Sequence, residues 1–349
     1  MVASASRAQS VAAMDGDAAI DRAAMDDDAP MNPAPLDGDA ATDTAPLDAA
    51  TIADPSRYRR WRARKLSDAR RALARPVVEI RDPSRLAATE LAALRAQVAA
   101  INFALYRIAD ADADTDARNA DALGHGALKR LCRQVGLTEL ARNPFAHRSG
   151  VSEIRAASRG ARRGYIPYTD RALNWHTDGY YNAPQQRIEA FAMHTVRAAP
   201  AGGENRLLDP EILYLLLRDR DAVAAAELFA PDALRVPPGT DADGGARPAH
   251  GGPVLSFGAD RRLRMRCTLR RRHVEWKSIA ARGAIESILA DDANPFILTR
   301  RLAAGEGIIS NNVLHHRAAF AAPPGTRGRL VLRARFHQRI RIEATHETE

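Results

Sequence analysis

The chain has 349 residues, 46% of them apolar, enough for one large domain with a buried core. Its two cysteines, Cys132 and Cys267, stand alone, so the sequence predicts neither a thiolate zinc site nor a disulfide framework, and it suits a reducing cytoplasm. No apolar run approaches the roughly 20 residues of a membrane span, and the Ala-rich, acidic start is not that of a signal peptide, so no membrane association is expected.

The net charge of +8 is unevenly spread. Residues 1–55 hold eleven aspartates and two arginines, a net of −9, which leaves the remainder at +17. A basic body attracts anions. Yet 48 of the 51 basic residues are arginine, with only Lys65, Lys129 and Lys277 as lysines, and no nucleic-acid-binding module accompanies the charge, so no nucleic-acid partner is expected.

Residues 1–55, mostly Ala, Asp, Pro and Thr, bury too little apolar area to offset ordering entropy and read as a disordered tail. Residues 56–75 read as a basic linker helix whose charge run forms a solvated face. The domain proper is expected over 76–342, with 343–349 as a short tail. Val77–Ile80 reads as a strand, 84–100 as an amphipathic helix through Leu86, Leu91, Leu94 and Val98, and 101–108 as a second strand. Residues 110–121 form an Asp/Ala loop, and 123–136 a helix closed by Gly136. Ile188–Val196 alternates as a strand, and Pro200–Gly203 is a turn. Asp209 caps a helix through Leu213, Leu216 and Leu217, and 237–252 is a Pro/Gly/Asp surface loop. Strands follow at Val254–Phe257, Leu263–Leu269, Phe296–Leu302, Gly307–Ser310 and Leu330–Gln338. Short strands from distant sequence with one helical insert predict a mainly β fold with flanking helices, a jelly-roll double sheet.

His176-Thr177-Asp178 carries the first chemical signal. In a strand, residues i and i+2 share a face, so His176 and Asp178 would point inward, with Trp175 and Thr177 outward. Two histidines and one carboxylate can occupy one face of a metal octahedron and leave the other positions open. His315 or His316, 137 or more residues after Asp178, supplies the second imidazole. Adjacent strand residues face opposite ways, so only one of the two can bind. Arg327, Arg329 and Arg333 follow, a cluster able to hold the carboxylate of an acidic cosubstrate. Alone, the HxD spacing is common; His125, His147, His194, His250, His273 and His337 have no partner motif and read as surface or core histidines.

Four segments in order give a more specific signal: Tyr165-Ile-Pro-Tyr-Thr169; Asn174-Trp-His-Thr-Asp-Gly-Tyr-Tyr-Asn182; Gly202-Gly-Glu-Asn205; and Ile308 to Phe320, closed by Arg329-Leu-Val-Leu-Arg333. Across roughly residues 76–342 the chain resembles the taurine dioxygenase (TauD/TfdA-like) family. The resemblance implies a double-stranded β-helix core of cupin type. It also implies an iron(II)- and 2-oxoglutarate-dependent dioxygenase that consumes O2, oxidises (most simply hydroxylates) a small organic substrate, and releases succinate and CO2. By position it assigns His176, Asp178 and His315 to the metal, with His315 preferred over His316. It assigns Arg329 and Asn205 to 2-oxoglutarate, Asn205 standing where the family has a threonine. Arg333 falls on an arginine that holds the substrate's anion, and Tyr180 and Asn182 would line the pocket just past the metal. Arg317 matches an arginine after the distal histidine. The basic body predicts an anionic or zwitterionic substrate, and relatives leave room for a homo-oligomer.

Two other readings remain open at this point. Zinc accepts the same donors, which would give a hydrolase or lyase on a cupin-type barrel. A non-enzymatic anion-binding module would use the basic body alone.

Overall fold

The computed structural model describes residues 47–109, 124–141, 143, 145–157, 160–240, 245–270, 272–321 and 328–342. The expected tail up to residue 46, the 110–121 loop, Arg327 and the 343–349 tail lie outside the described residues. The described residues all belong to one compact unit.

The fold begins earlier than the composition suggests. Helix α1 (Ala49–Ala53) is capped by Asp48, whose carboxylate accepts from Thr51 N at 2.8 Å, and Leu47 is fully buried. Asp54 then accepts from Ser56 N and Arg57 N and caps α2 (Pro55–Ala74), which has proline in its first turn. The acidic residues counted as tail here act as helix caps, which composition alone cannot distinguish. Nor is α2 a solvated linker. Tyr58, Trp61, Lys65 and Ala69, spaced three and four apart, form one buried stripe. Lys65 Nζ lies 2.6 Å from both Asp209 Oδ2 and Glu211 Oε2, and Arg218 stacks over Tyr58 at 3.8 Å.

Two sheets carry the site. Their strands are β1 (Val77–Ile80), β2 (Phe103–Ile108), β3 (Ser152–Ile154), β4 (Leu173–His176), β5 (Ala190–Arg197) and β6 (Asn205–Leu208). The chain then makes an insert of α5 (Pro210–Arg220), α6 (Ala222–Glu227), β7 (Leu234–Val236), β8 (Gly239–Thr240), β9 (Ala246–Arg247), β10 (His250–Gly252), β11 (Leu255–Phe257), β12 (Leu263–Met265), β13 (Glu275–Trp276) and α7 (Ile279–Ala290). It returns through β14 (Leu298–Arg300), β15 (Glu306–Ser310), β16 (Leu314–Arg317) and β17 (Leu330–Phe336). The larger sheet has the order β1-β2-β15-β5-β17-β3, the smaller β14-β6-β16-β4. All pairings in them are antiparallel except β1 with β2. This is the mainly β, jelly-roll architecture that the strand pattern predicts.

The larger sheet is covered on both faces. Helices α3 (Ala88–Ile101) and α4 (His125–Gln134) pack on its outer face, where Ala104, Tyr106, Ala192, Ile309, Leu332, Ala334 and Phe336 join one core cluster. Phe103, Leu105, Phe191 and Ile308 alternate inward into the main core, with Leu207, Leu208 and Leu314 of the smaller sheet. The insert holds three helices rather than one. Helix α7 escapes sequence reading because Arg282 and Gly283 interrupt its apolar stripe, yet Ala281, Ile285, Ile288 and Leu289 are all buried. Residues 237–252 carry short strands rather than a bare loop, and the strands around 254–257, 263–269 and 296–302 are shorter than expected. Phe296 and Leu302 are buried by tertiary packing outside any strand, so their apolar character marks core rather than sheet. No helix among the described residues is long and apolar enough to cross a membrane.

Removing the Lys65 amine would leave Asp209 and Glu211 buried without their cation. Lys65→Ala is therefore expected to lower the unfolding free energy by about 3 kcal/mol or more. Urea denaturation followed by far-UV circular dichroism measures it, and an unchanged midpoint would show that α2 is not integral to the domain.

Candidate metal centre

Strand β16 runs antiparallel to β4 with His315 directly opposite His176, and the two ring centroids are 4.2 Å apart. The chain leaves β4 at His176 and turns, so Asp178 reaches the same point from just beyond the strand rather than from within it. Gly179 permits that turn. Its φ is +66°, and a Cβ there would lie 2.5 Å from Ile188 Cγ1. The ligating atoms of His176, Asp178 and His315 all fall within 4.8 Å of one another, and all three residues are buried.

Hydrogen bonding prepares these groups for a cation. His176 Nδ1 donates to Asn174 O at 2.8 Å and His315 Nδ1 to Val313 O at 2.9 Å. A carbonyl only accepts, so each ring carries its proton on Nδ1 and keeps the Nε2 lone pair free. Asp178 Oδ1 lies 3.8 Å from His176 Nε2, and Asp178 Oδ2 is buried without a partner. Burial pushes His176 down to about 3, helped by the His315 ring, and burial lowers His315 as well. Burial pushes the Asp178 carboxyl up, but Arg333, Arg335 and the two rings hold it below the usual carboxylate range. The trio thus stands as two neutral imidazoles and one carboxylate, the protonation states a metal needs.

Trp175 and Thr177 point away from this trio, but not to solvent. Cys267 N donates to Thr177 Oγ1 at 3.0 Å, Leu269 N donates to Trp175 O, and Arg206 stacks over the Trp175 ring at 5.5 Å. The insert covers the face that alternation alone would leave exposed. His316 lies on that side too, 5.7 Å from the Trp175 ring, so His315 and not His316 joins the trio.

Asn312 was not among the residues that the motif pattern singles out. Held at φ +52°, it accepts from Asp178 N at 2.8 Å and donates to Asp178 O at 3.0 Å and Ile188 O at 2.7 Å. The turn bearing the carboxylate is thereby fixed to the loop that leads into His315. Its signal was present in the sequence as an asparagine three residues before the second histidine.

Arg329, just before β17, is buried, and burial and the Arg317 charge lower its guanidinium to about 10. Among the described residues no carboxylate forms an ion pair with it, and its guanidinium lies over the Phe320 ring at 5.5 Å. A buried cation gains from a counter-ion, which makes Arg329 a candidate contact for an anion. Arg317 also lies over that ring, at 5.0 Å, and donates to the carbonyls of Pro167, Thr169 and Arg171, which ties the 167–171 segment to the end of β16. Asn205 is buried and cross-strand from Arg317. Arg333 reaches Asp178 Oδ1 at 3.2 Å. Tyr180 is packed in the core, edge-on to Tyr181 at 5.2 Å, and Asn182 donates to Gln186 O at 2.8 Å within its own turn. His194 lies away from the trio, 3.3 Å from the Tyr106 hydroxyl.

Residues 62–335 match the family described as taurine catabolism dioxygenase TauD, TfdA. No curated protein matches the chain by sequence. Among solved structures, asparagine oxygenase is 17% identical with a TM-score of 0.51, covering 79% of this chain and 90% of that one. The non-haem iron oxygenase OrfP, in complex with Fe, succinate and (3S)-hydroxy-L-Arg, is also 17% identical, with a TM-score of 0.52 and coverage of 78% and 84%. At this identity the likeness speaks to the fold.

If Asn312 sets the position of Asp178, Asn312→Ala is expected to weaken divalent-metal binding by about tenfold, the lower end for loss of a group that orients a ligand. Calorimetric titration with Mn(II) measures this, and wild-type affinity in a folded variant would remove Asn312 from the centre.

Proposed function

Because the chain belongs to the taurine catabolism dioxygenase TauD, TfdA family, it is an iron(II)- and 2-oxoglutarate-dependent oxygenase, and we propose that it hydroxylates a small anionic or zwitterionic substrate. The observation that carries this reading is the buried trio of His176, Asp178 and His315, with two Nε2 lone pairs and a carboxylate oxygen free within 4.8 Å of one another. His176, Asp178 and His315 hold the iron. Arg329 takes the distal carboxylate of 2-oxoglutarate through its planar fork, and the Asn205 amide donates beside it. When bound, iron and 2-oxoglutarate supply the oxidation of a substrate C–H bond with O2, and 2-oxoglutarate leaves as succinate and CO2.

The protein's contribution is placement. The backbone carbonyls of Asn174 and Val313 fix the imidazole tautomers, and Asn312 fixes the carboxylate-bearing turn. Arg333, beside Asp178, orients the substrate's anionic group, and burial of the trio keeps bulk water from the reacting centre. Tyr180 and Asn182 act at one remove in this reading, by shaping the turn after Asp178. A zinc hydrolase would use the same three donors, but it has no need of a buried guanidinium without an anion, so Arg329 favours the cosubstrate.

Anaerobic addition of Fe(II) and 2-oxoglutarate to the wild type is expected to give a visible charge-transfer band. The band should vanish in His176→Ala. In Arg329→Met it should require about tenfold or more 2-oxoglutarate, as expected for the loss of a bidentate charged contact. A band of wild-type strength in His176→Ala would remove that residue from the metal.

A further inference from the structure

Strand β17 carries more positive charge towards the metal trio than 2-oxoglutarate and one substrate anion require. Alternation sends Leu332, Ala334 and Phe336 to the outer core and places Val331, Arg333 and Arg335 on the opposite face, with Arg329 just before the strand. Arg329 is accounted for by the cosubstrate. Arg333 touches Asp178 through one nitrogen, while its Nε is buried without a partner. Arg335 is only 8% exposed. Its recorded polar contact is a neutral one, Nη1 to the Tyr181 hydroxyl at 3.4 Å, and no carboxylate among the described residues forms an ion pair with it. The Tyr168 hydroxyl is also buried without a partner, and its ring packs with Val331, the neighbour of Arg333 on this face.

Asp178 is the carboxylate whose charge both Arg333 and Arg335 feel. Once Asp178 is committed to a divalent cation, it no longer balances them. Two guanidiniums at i and i+2, with Cα atoms about 6 to 7 Å apart along a strand, then face a metal cation inside the protein. Like charges held so close and away from water are costly unless an anion joins them. One monoanionic group can neutralise one of them.

We propose, on the basis of the oxygenase reading above, that this chain selects substrates bearing two anionic groups, one held by Arg333 and the second by Arg335 with the Tyr181 hydroxyl. The chemical class is a small dicarboxylate, or a carboxylate paired with a sulfonate or phosphonate. Arg335 is then a specificity-determining residue, and Tyr181, 39% exposed at the edge of the site, donates beside it.

The test uses the full chain, anaerobic, with Fe(II) and 2-oxoglutarate bound, and follows perturbation of the visible band and the heat of binding rather than turnover. L-Aspartate, L-glutamate and L-cysteate are titrated against L-asparagine, L-glutamine and taurine, each of which lacks one anionic group of its counterpart. The doubly anionic member of each pair should bind about tenfold more tightly, the scale of one added charge-assisted contact. Arg335→Met should abolish that preference and Arg335→Lys should retain part of it. Tyr181→Phe, which leaves the guanidinium in place, should reduce it about threefold and serves if the methionine variant does not fold. A normal band with no preference for the doubly anionic compounds, or with none of them binding at millimolar concentrations, overturns this inference alone. A missing band in the wild type overturns the oxygenase reading, and this inference with it.

Discussion

The pairing of β16 with β4 is the constraint on which the centre rests. Placing His315 opposite His176 in an antiparallel ladder brings together two imidazoles that are 139 residues apart in sequence, and β6 on the other side of β16 holds the strand in that register. A slip of one residue would turn His316 inward and His315 towards Trp175, because the side-chain period of a strand is two. Large apolar neighbours guard the register. Leu314 is fully buried in the main core, and Phe191 of the opposite sheet lies 4.8 Å from the His315 ring. The approach of the two imidazoles is therefore a consequence of hydrophobic packing, since both histidines stand on strands.

The carboxylate is placed by different means. Asp178 lies past the end of β4, where no ladder can hold it, and a turn would normally leave it mobile. Asn312 substitutes for the missing ladder by exchanging both main-chain hydrogen bonds with Asp178 through its side-chain amide. The same loop is anchored on its other side by Asn311, which receives the Ile340 amide and donates to Asn102. Asn102 donates in turn to Asp209, the partner of Lys65. A chain of buried polar contacts thus runs from α2 to the loop that fixes the third ligand, which gives the N-terminal helix a part in ordering the centre.

Much of this was legible in the sequence, and the reasons differ by element. The HxD spacing put His176 and Asp178 on one face, while the choice of His315 over His316 and the part proposed for Arg329 came from the family resemblance; the structure brings His176, Asp178 and His315 together. Strands β2, β5, β15 and β17 could be read because both faces of the larger sheet are covered, which writes near-continuous apolar runs. Helix α1, the buried stripe of α2 and helix α7 could not, since Asp48, Asp54, Lys65 and Arg282 are polar residues whose roles as caps and partners exist only after folding. Arg335 was within reach, because the i+2 rule that puts Arg333 on one face of β17 extends one step further along the strand.

The charge distribution ties these levels together. Composition shows a basic body without saying where the charge goes, and the bland reading is a solvated surface. The fold instead directs Arg317, Arg329, Arg333 and Arg335 into the interior, all less than about a tenth exposed except Arg333, which lies against the Asp178 carboxylate. Arg317 is met by backbone carbonyls and needs no counter-ion. In the reading proposed above, the other three would find their counter-ions in the cosubstrate and the substrate. On the proposed reading, cosubstrate and substrate do more than fill a cavity: their negative charges would complete the electrostatics around Arg329, Arg333 and Arg335.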